Sequence, residues 1–102
     1  MNYDKLVRDN IPRILKKKGL KVKKHIADEE EYWKKLKEKL SEEVNEFLEK
    51  DSKEELADVL EVIDAIYKFR NIDKKELNKL KKEKAKERGK FKKRIILEEV
   101  NE

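Results

Sequence analysis

Residues 47–56 read FLEKDSKEEL, and this short break between two helical patterns constrains the fold more than any other stretch. Before it, the run from Asp28 to Lys50 carries Trp33, Leu36, Leu40, Val44 and Phe47 at spacings of three and four. That is the period of one helical face. Asp28 with Glu31 makes a capping box at its start. After the break, Ser52 with Glu55 repeats the capping signal, and Leu56, Val59, Leu60, Ile63, Ile66 and Tyr67 continue the helical period. Two helices joined by so few residues must lie side by side and antiparallel.

The flanking stretches are shorter. Asp9 or Asn10 can cap a first helix that has Pro12 in its first turn and Gly19 as its stop. Residues 71–89 give a further helix with Asp73 and Glu76 as its box and Gly89 as its stop; its apolar face is thin, with Leu77, Leu80 and Ala85. Residues 20–26 and 94–97 alternate or cluster apolar residues and are candidates for a short two-stranded β element. The expected fold is all-α, a single domain over 1–102. A long antiparallel helix pair with shorter helices makes a meagre core for a monomer. A second copy is therefore expected to complete a four-helix bundle, as a homodimer or higher homo-oligomer.

Charge excludes several functions. Charged residues make up 52% of the chain against 36% hydrophobic, and 29 basic and 24 acidic groups leave a net charge of +5. Such periodic apolar residues argue against disorder. There is no cysteine and one histidine, His25, so thiolate–zinc sites, disulfides and Ser-His-Asp catalysis are excluded or disfavoured. No run is apolar enough to span a membrane, and the first residues lack a signal peptide's apolar core. A cytoplasmic location with no membrane partner is expected.

Two acidic patterns stand out: Glu43-x-x-Glu46 before the break and Glu55-x-x-Asp58 after it. An α-helix turns about 100° per residue. With the first apolar face centred near Leu40 and Val44, Glu43 lies about 60° and Glu46 about 120° to one side, while Glu42 points away. With the second face centred near Ile63, Glu55 lies about 75° and Asp58 about 135° off, in the same sense. Turned end for end, Glu46 should face Glu55 and Glu43 should face Asp58, so four carboxylates converge at the rim of the core. Such a cluster repels itself unless hard divalent cations occupy it, Mg²⁺ or Mn²⁺ by donor type. The other reading is a solvated acidic face, with Glu46 paired to Lys50 and Glu43 to Lys39. Against it, Glu55 and Asp58 have no basic residue three or four positions away in their helix, and no Lys or Arg occurs from Glu54 through Tyr67. Both readings stand on pattern alone.

Glu-x-x-Glu, a short gap and ELAD at 55–58 resemble the signature of MazG-like all-α nucleotide pyrophosphohydrolases, relatives of phosphoribosyl-ATP pyrophosphohydrolase. The opening YDKLVRDNIP and the later KERGKF and ILEEV resemble a small-protein branch of that superfamily, which carries Lys at the place of Asn10 and Gly at the place of Lys90. The resemblance spans nearly the whole chain. It implies that Glu43, Glu46, Glu55 and Asp58 bind Mg²⁺, with Mn²⁺ as a substitute. It implies hydrolysis of a nucleoside triphosphate between the α and β phosphates to a monophosphate and pyrophosphate, a house-cleaning of aberrant nucleotides. Glu43 or Glu46 is then the carboxylate that handles the attacking water. Lys5, Arg8, Lys84, Arg88 and Lys90 are the candidate phosphate-binding cations. The competing readings are a basic helical protein that binds nucleic acid, which leaves the Lys- and Arg-free acidic helix unexplained, and a helical interaction module without catalysis.

Overall fold

The computed structural model describes residues 4–101 and contains helices only: α1 (Ile11–Lys17), α2 (Glu29–Lys50), α3 (Lys53–Phe69) and α4 (Lys74–Arg88). The all-α expectation holds. No described helix is long and apolar enough to cross a membrane. The chain divides into two compact units, one ending at Arg70 and one beginning at Asn71.

Local chemistry sets the helix ends. Asp28 accepts a hydrogen bond from the Glu31 N–H at 2.9 Å and starts α2. Ser52 Oγ accepts from the Glu55 N–H at 3.4 Å and starts α3. Between them only Asp51 and Ser52 lie outside the helices. Asp51 takes the left-handed conformation, φ 52°, while its N–H closes on the Phe47 carbonyl at 2.8 Å. An Asp tolerates that conformation better than most residues. Helix α1 has Pro12 in its first turn, but Asn10 makes no side-chain cap. Its end is a Schellman motif, with Gly19 at φ 85° donating to Lys16 and Leu20 donating to Leu15.

In the first unit α2 and α3 pack as an antiparallel hairpin. Leu36 of α2 is 1% exposed and Val62 of α3 is 8% exposed, and they mark the seam. At the far end of the hairpin from the turn, Phe69 meets Tyr32 edge-on at 5.1 Å and stacks on Trp33 at 5.9 Å. Lys37 and Arg70 lie over the Trp33 ring at 5.1 and 5.0 Å, so this tryptophan packs within the hairpin.

The register differs from the one expected. The buried apolar residue of α3 is Val62, whereas Ile63, the centre expected of its apolar face, is exposed. Helix α3 is apolar on two sides, and the periodicity was dominated by the side that faces away. Leu56, Leu60 and Ile63 form that outer stripe, at 46%, 57% and 37% exposure. Relative to Val62 they point about 100–160° away, on the same edge of the hairpin as exposed Leu48 of α2. The opposite edge is covered by the N-terminal segment.

Residues 20–26 and 94–97, the candidates for a β element, carry neither helix nor strand, and Ile95, Ile96 and Leu97 are exposed. A two-stranded ribbon has little stability by itself. In the second unit α4 buries no residue. Asp73 caps it through the Lys75 N–H at 2.9 Å rather than through Glu76.

Leu36→Ala should destabilise the hairpin by about 2–5 kcal/mol, the usual range for truncating a buried leucine. Leu60→Ala should cost far less under conditions where the chain is monomeric. Urea denaturation followed by circular dichroism checks both.

Candidate metal centre

The Val62 register places the acidic residues in the seam between α2 and α3. Glu43 follows Leu36 by seven residues, and Glu55 precedes Val62 by seven, so each points within about 20° of the seam residue on its helix. Asp58 lies about 40° from Val62. The seam thus runs from apolar side chains at one end to carboxylates near the turn. Oxygens of Glu43, Glu55 and Asp58 all lie within 4.8 Å of one another. Glu43 is 7% exposed, and Glu55 and Asp58 are half-buried. Glu46 is half-buried and outside this group. It points about 80° from Leu36, toward the edge of the hairpin.

Each of the three clustered carboxylates meets one basic side chain. Lys39 Nζ lies 3.2 Å from Glu43 Oε1, Lys50 Nζ lies 3.7 Å from Glu55 Oε1, and Arg8 Nη2 donates to Asp58 Oδ1 at 2.7 Å. The Lys39 pair was foreseen from spacing. The Lys50 and Arg8 pairs reach across the turn and from the N-terminal segment, so the absence of basic neighbours within α3 did not mean the absence of partners. Even so, the set is not closed. Glu43 Oε2 is buried and has no hydrogen-bond partner among the described residues. A buried carboxylate oxygen left unpaired is costly, and a hard cation among three carboxylates satisfies it. The donor set fits such an ion by chemistry and does not single out Mg²⁺ from Mn²⁺.

The N-terminal segment borders the cluster. Lys5 donates to Glu42 Oε1 at 2.9 Å, and Lys35 donates to the Asp4 carbonyl at 2.6 Å. Glu42 therefore does not point to solvent as expected; Lys5 and Lys39 both hold it. The Lys5 ammonium, hydrogen-bonded to Glu42, holds that carboxyl below the usual carboxylate range. The same bond holds Lys5 above its ordinary value. His25 contacts Glu31 at 2.9 Å. Glu31 thus serves His25 with its side chain while its N–H satisfies the Asp28 cap.

Between the N-terminal segment, α1 and the hairpin lies a cavity of about 550 Å³. Glu43, Asp58 and Arg8 line part of it, and Ile14, Leu36 and Val62 are among its apolar walls. Of the phosphate-binding candidates, Arg8 is therefore at the acidic cluster, and Lys5 lies on the neighbouring Glu42. Lys84, Arg88 and Lys90 belong to the second unit and are exposed.

The Lys5–Glu42 pair gives stability a pH dependence with two limits. The lowered Glu42 pKa contributes stability above the ordinary carboxylate range, which is lost as pH falls through the folded-state value. The raised Lys5 pKa contributes below the ordinary lysine range, and this is lost as pH rises through its folded-state value. Glu42→Gln should cost about 0.2–1 kcal/mol at neutral pH, as for other partly exposed pairs. The difference from wild type should shrink toward zero in acid; urea midpoints from pH 3 to 7 check it.

Comparison with known proteins found no matching family model, no matching curated protein and no matching solved structure.

Proposed function

We propose that this chain is a MazG-like, Mg²⁺-dependent nucleoside triphosphate pyrophosphohydrolase that cleaves between the α and β phosphates, clearing aberrant nucleotides. The observation that carries the reading is the meeting of Glu43, Glu55 and Asp58 from two helices, with Glu43 Oε2 buried and unsatisfied. These three carboxylates would hold the ion, with Glu46 at the rim as a further ligand or the water-handling group. When bound, such an ion offsets phosphate charge and lowers the pKa of a bound water.

The chain's own groups supply the rest. A water oxygen attacks the α phosphorus, the bond to the bridging oxygen breaks, and pyrophosphate leaves with the electron pair. Glu46, or Glu43 in its place, orients the water and accepts its proton. Arg8 and Lys5 hold phosphate oxygens, Arg8 through a two-pronged contact and Lys5 as a point charge. The cavity beside the cluster offers the base and sugar apolar walls, in keeping with the usual character of small-molecule sites. The assignment of Lys84 and Arg88 to phosphate rests on the resemblance of the sequence.

The outer stripe of Leu56, Leu60 and Ile63, with Leu48 beside it, is assigned to a second copy of the chain. Two hairpins packed through these edges make the four-helix bundle, the usual resolution of an apolar helix face left open.

Pyrophosphate release should require Mg²⁺ or Mn²⁺ and should appear for some member of a panel of common and damaged nucleoside triphosphates. Asp58→Asn and Glu43→Gln should each reduce it by about 100-fold or more, since even outer-shell partners of metal ligands are worth about 10–100-fold. Unchanged release would overturn the assignment. Mg²⁺ should raise the melting temperature of the wild type and not of Glu43→Gln, as binding to the folded state alone requires. Light scattering should find a dimer at micromolar concentration, and Leu60→Asp should dissociate it.

A further inference from the structure

Arg8 makes the shortest of the three cationic contacts to the cluster, 2.7 Å against 3.2 Å for Lys39 and 3.7 Å for Lys50. It is also the one that comes from outside the hairpin. Its side chain is 57% exposed and stands on a segment with no helix or strand, before α1. That segment is fixed independently by Lys5 on Glu42 and by Lys35 on the Asp4 carbonyl. The guanidinium can therefore turn about its own bonds while the backbone stays in place. Asp58 is at once its partner and a member of the carboxylate group.

We propose that Arg8 is an exchangeable counter-ion: it neutralises Asp58 until a divalent cation arrives, then turns to bind the phosphate groups that come with that cation. This rests on the metal-site reading above and adds a coupling to it. A guanidinium and a divalent cation on the same carboxylate lie close enough to repel, and the mobile one gives way. The displaced guanidinium remains beside the cavity that Asp58 and Glu43 also line. Its planar fork matches two oxygens of a phosphate chain. Glu43 Oε2, already desolvated and unpartnered, gives the ion a ligand that no side chain must vacate. The arrangement makes the metal alone a poor ligand and the metal–polyphosphate complex a good one. Arg8 opposes the first and reinforces the second.

The test is a pair of titrations on the full chain: Mn²⁺ alone, read as free Mn²⁺ by electron paramagnetic resonance, and inorganic tripolyphosphate at saturating Mg²⁺, read by calorimetry. Arg8→Ala should bind Mn²⁺ alone about two- to fivefold more tightly, the range for release of a partly exposed ion pair. It should bind tripolyphosphate about tenfold or more weakly, as loss of a charge-assisted hydrogen bond predicts. Arg8→Lys should recover part of the anion affinity. A structural role for Arg8 would weaken both ligands together, and that result, or an unchanged Mn²⁺ affinity, overturns the proposal while leaving the metal site intact. If the wild type takes up no Mn²⁺, the metal site falls and the proposal with it. Should Arg8→Ala fail to fold, the guanidinium resonances of Arg8 in the wild type carry the same test. They should shift on adding Mg²⁺ and again on adding tripolyphosphate, and a signal that moves at neither step rejects the exchange.

Discussion

The packing of Leu36 on α2 against the Val62 side of α3 organises everything else in the first unit. Helices α2 and α3 have only a two-residue connection, so once this seam is fixed, every other side chain on the pair has its direction fixed too. Glu43 and Glu55 sit one heptad along the seam from the two most buried apolar residues. They are drawn into the interface by the same rotation that buries Leu36 and Val62. A charge-rich chain would ordinarily leave such groups in water. Here the helices hold them together, with the repulsion partly offset by Lys39, Lys50 and Arg8.

The two edges of the hairpin differ in character. Along one, Glu42 and Asp58 meet the N-terminal segment through ion pairs with Lys5 and Arg8, and the segment and α1 wall a cavity. Along the other, Leu56, Leu60 and Ile63 remain uncovered. Polar contacts at the first edge are individually weak because they are partly exposed; their number fixes the course of the segment. Among the described residues no ion pair covers the Leu56, Leu60 and Ile63 stripe, and apolar burial is the interaction these side chains can offer.

What the sequence made legible was local. The caps at Asp28 and Ser52, the short break between the helices and the stop at Gly19 follow from rules that involve near neighbours, and all appear in the structure. The nearness of Glu43 to Asp58 also followed, because heights along an antiparallel pair depend on distance from the turn; Glu55 groups with Glu43 rather than with Glu46, which the height argument alone did not give. The direction of α3 did not follow. Its apolar residues occupy two faces, and a single-period reading took the face with the larger side chains. With Val62 as the true centre, Glu55 and Asp58 move from the rim into the seam, and Glu46 stands apart. The contacts of Arg8 with Asp58 and Lys5 with Glu42 join residues 50 and 37 positions apart, and no short-range pattern encodes them. His25 with Glu31 spans a helix boundary, where helical spacing rules do not apply.

The left-handed Asp51 has a wider bearing than closing a turn. It sets the length of the connection, and that length acts as a phase setting for chemistry. One inserted residue that lengthened α3 at its start would move the acidic pair by about 1.5 Å and 100° relative to the turn. The hairpin could recover by sliding a different apolar residue into the seam, since α3 offers two such faces. The carboxylates would then be scattered around the rim. Connections between helices commonly vary in length without harm, yet in this hairpin a change the fold can absorb is one the acidic cluster cannot.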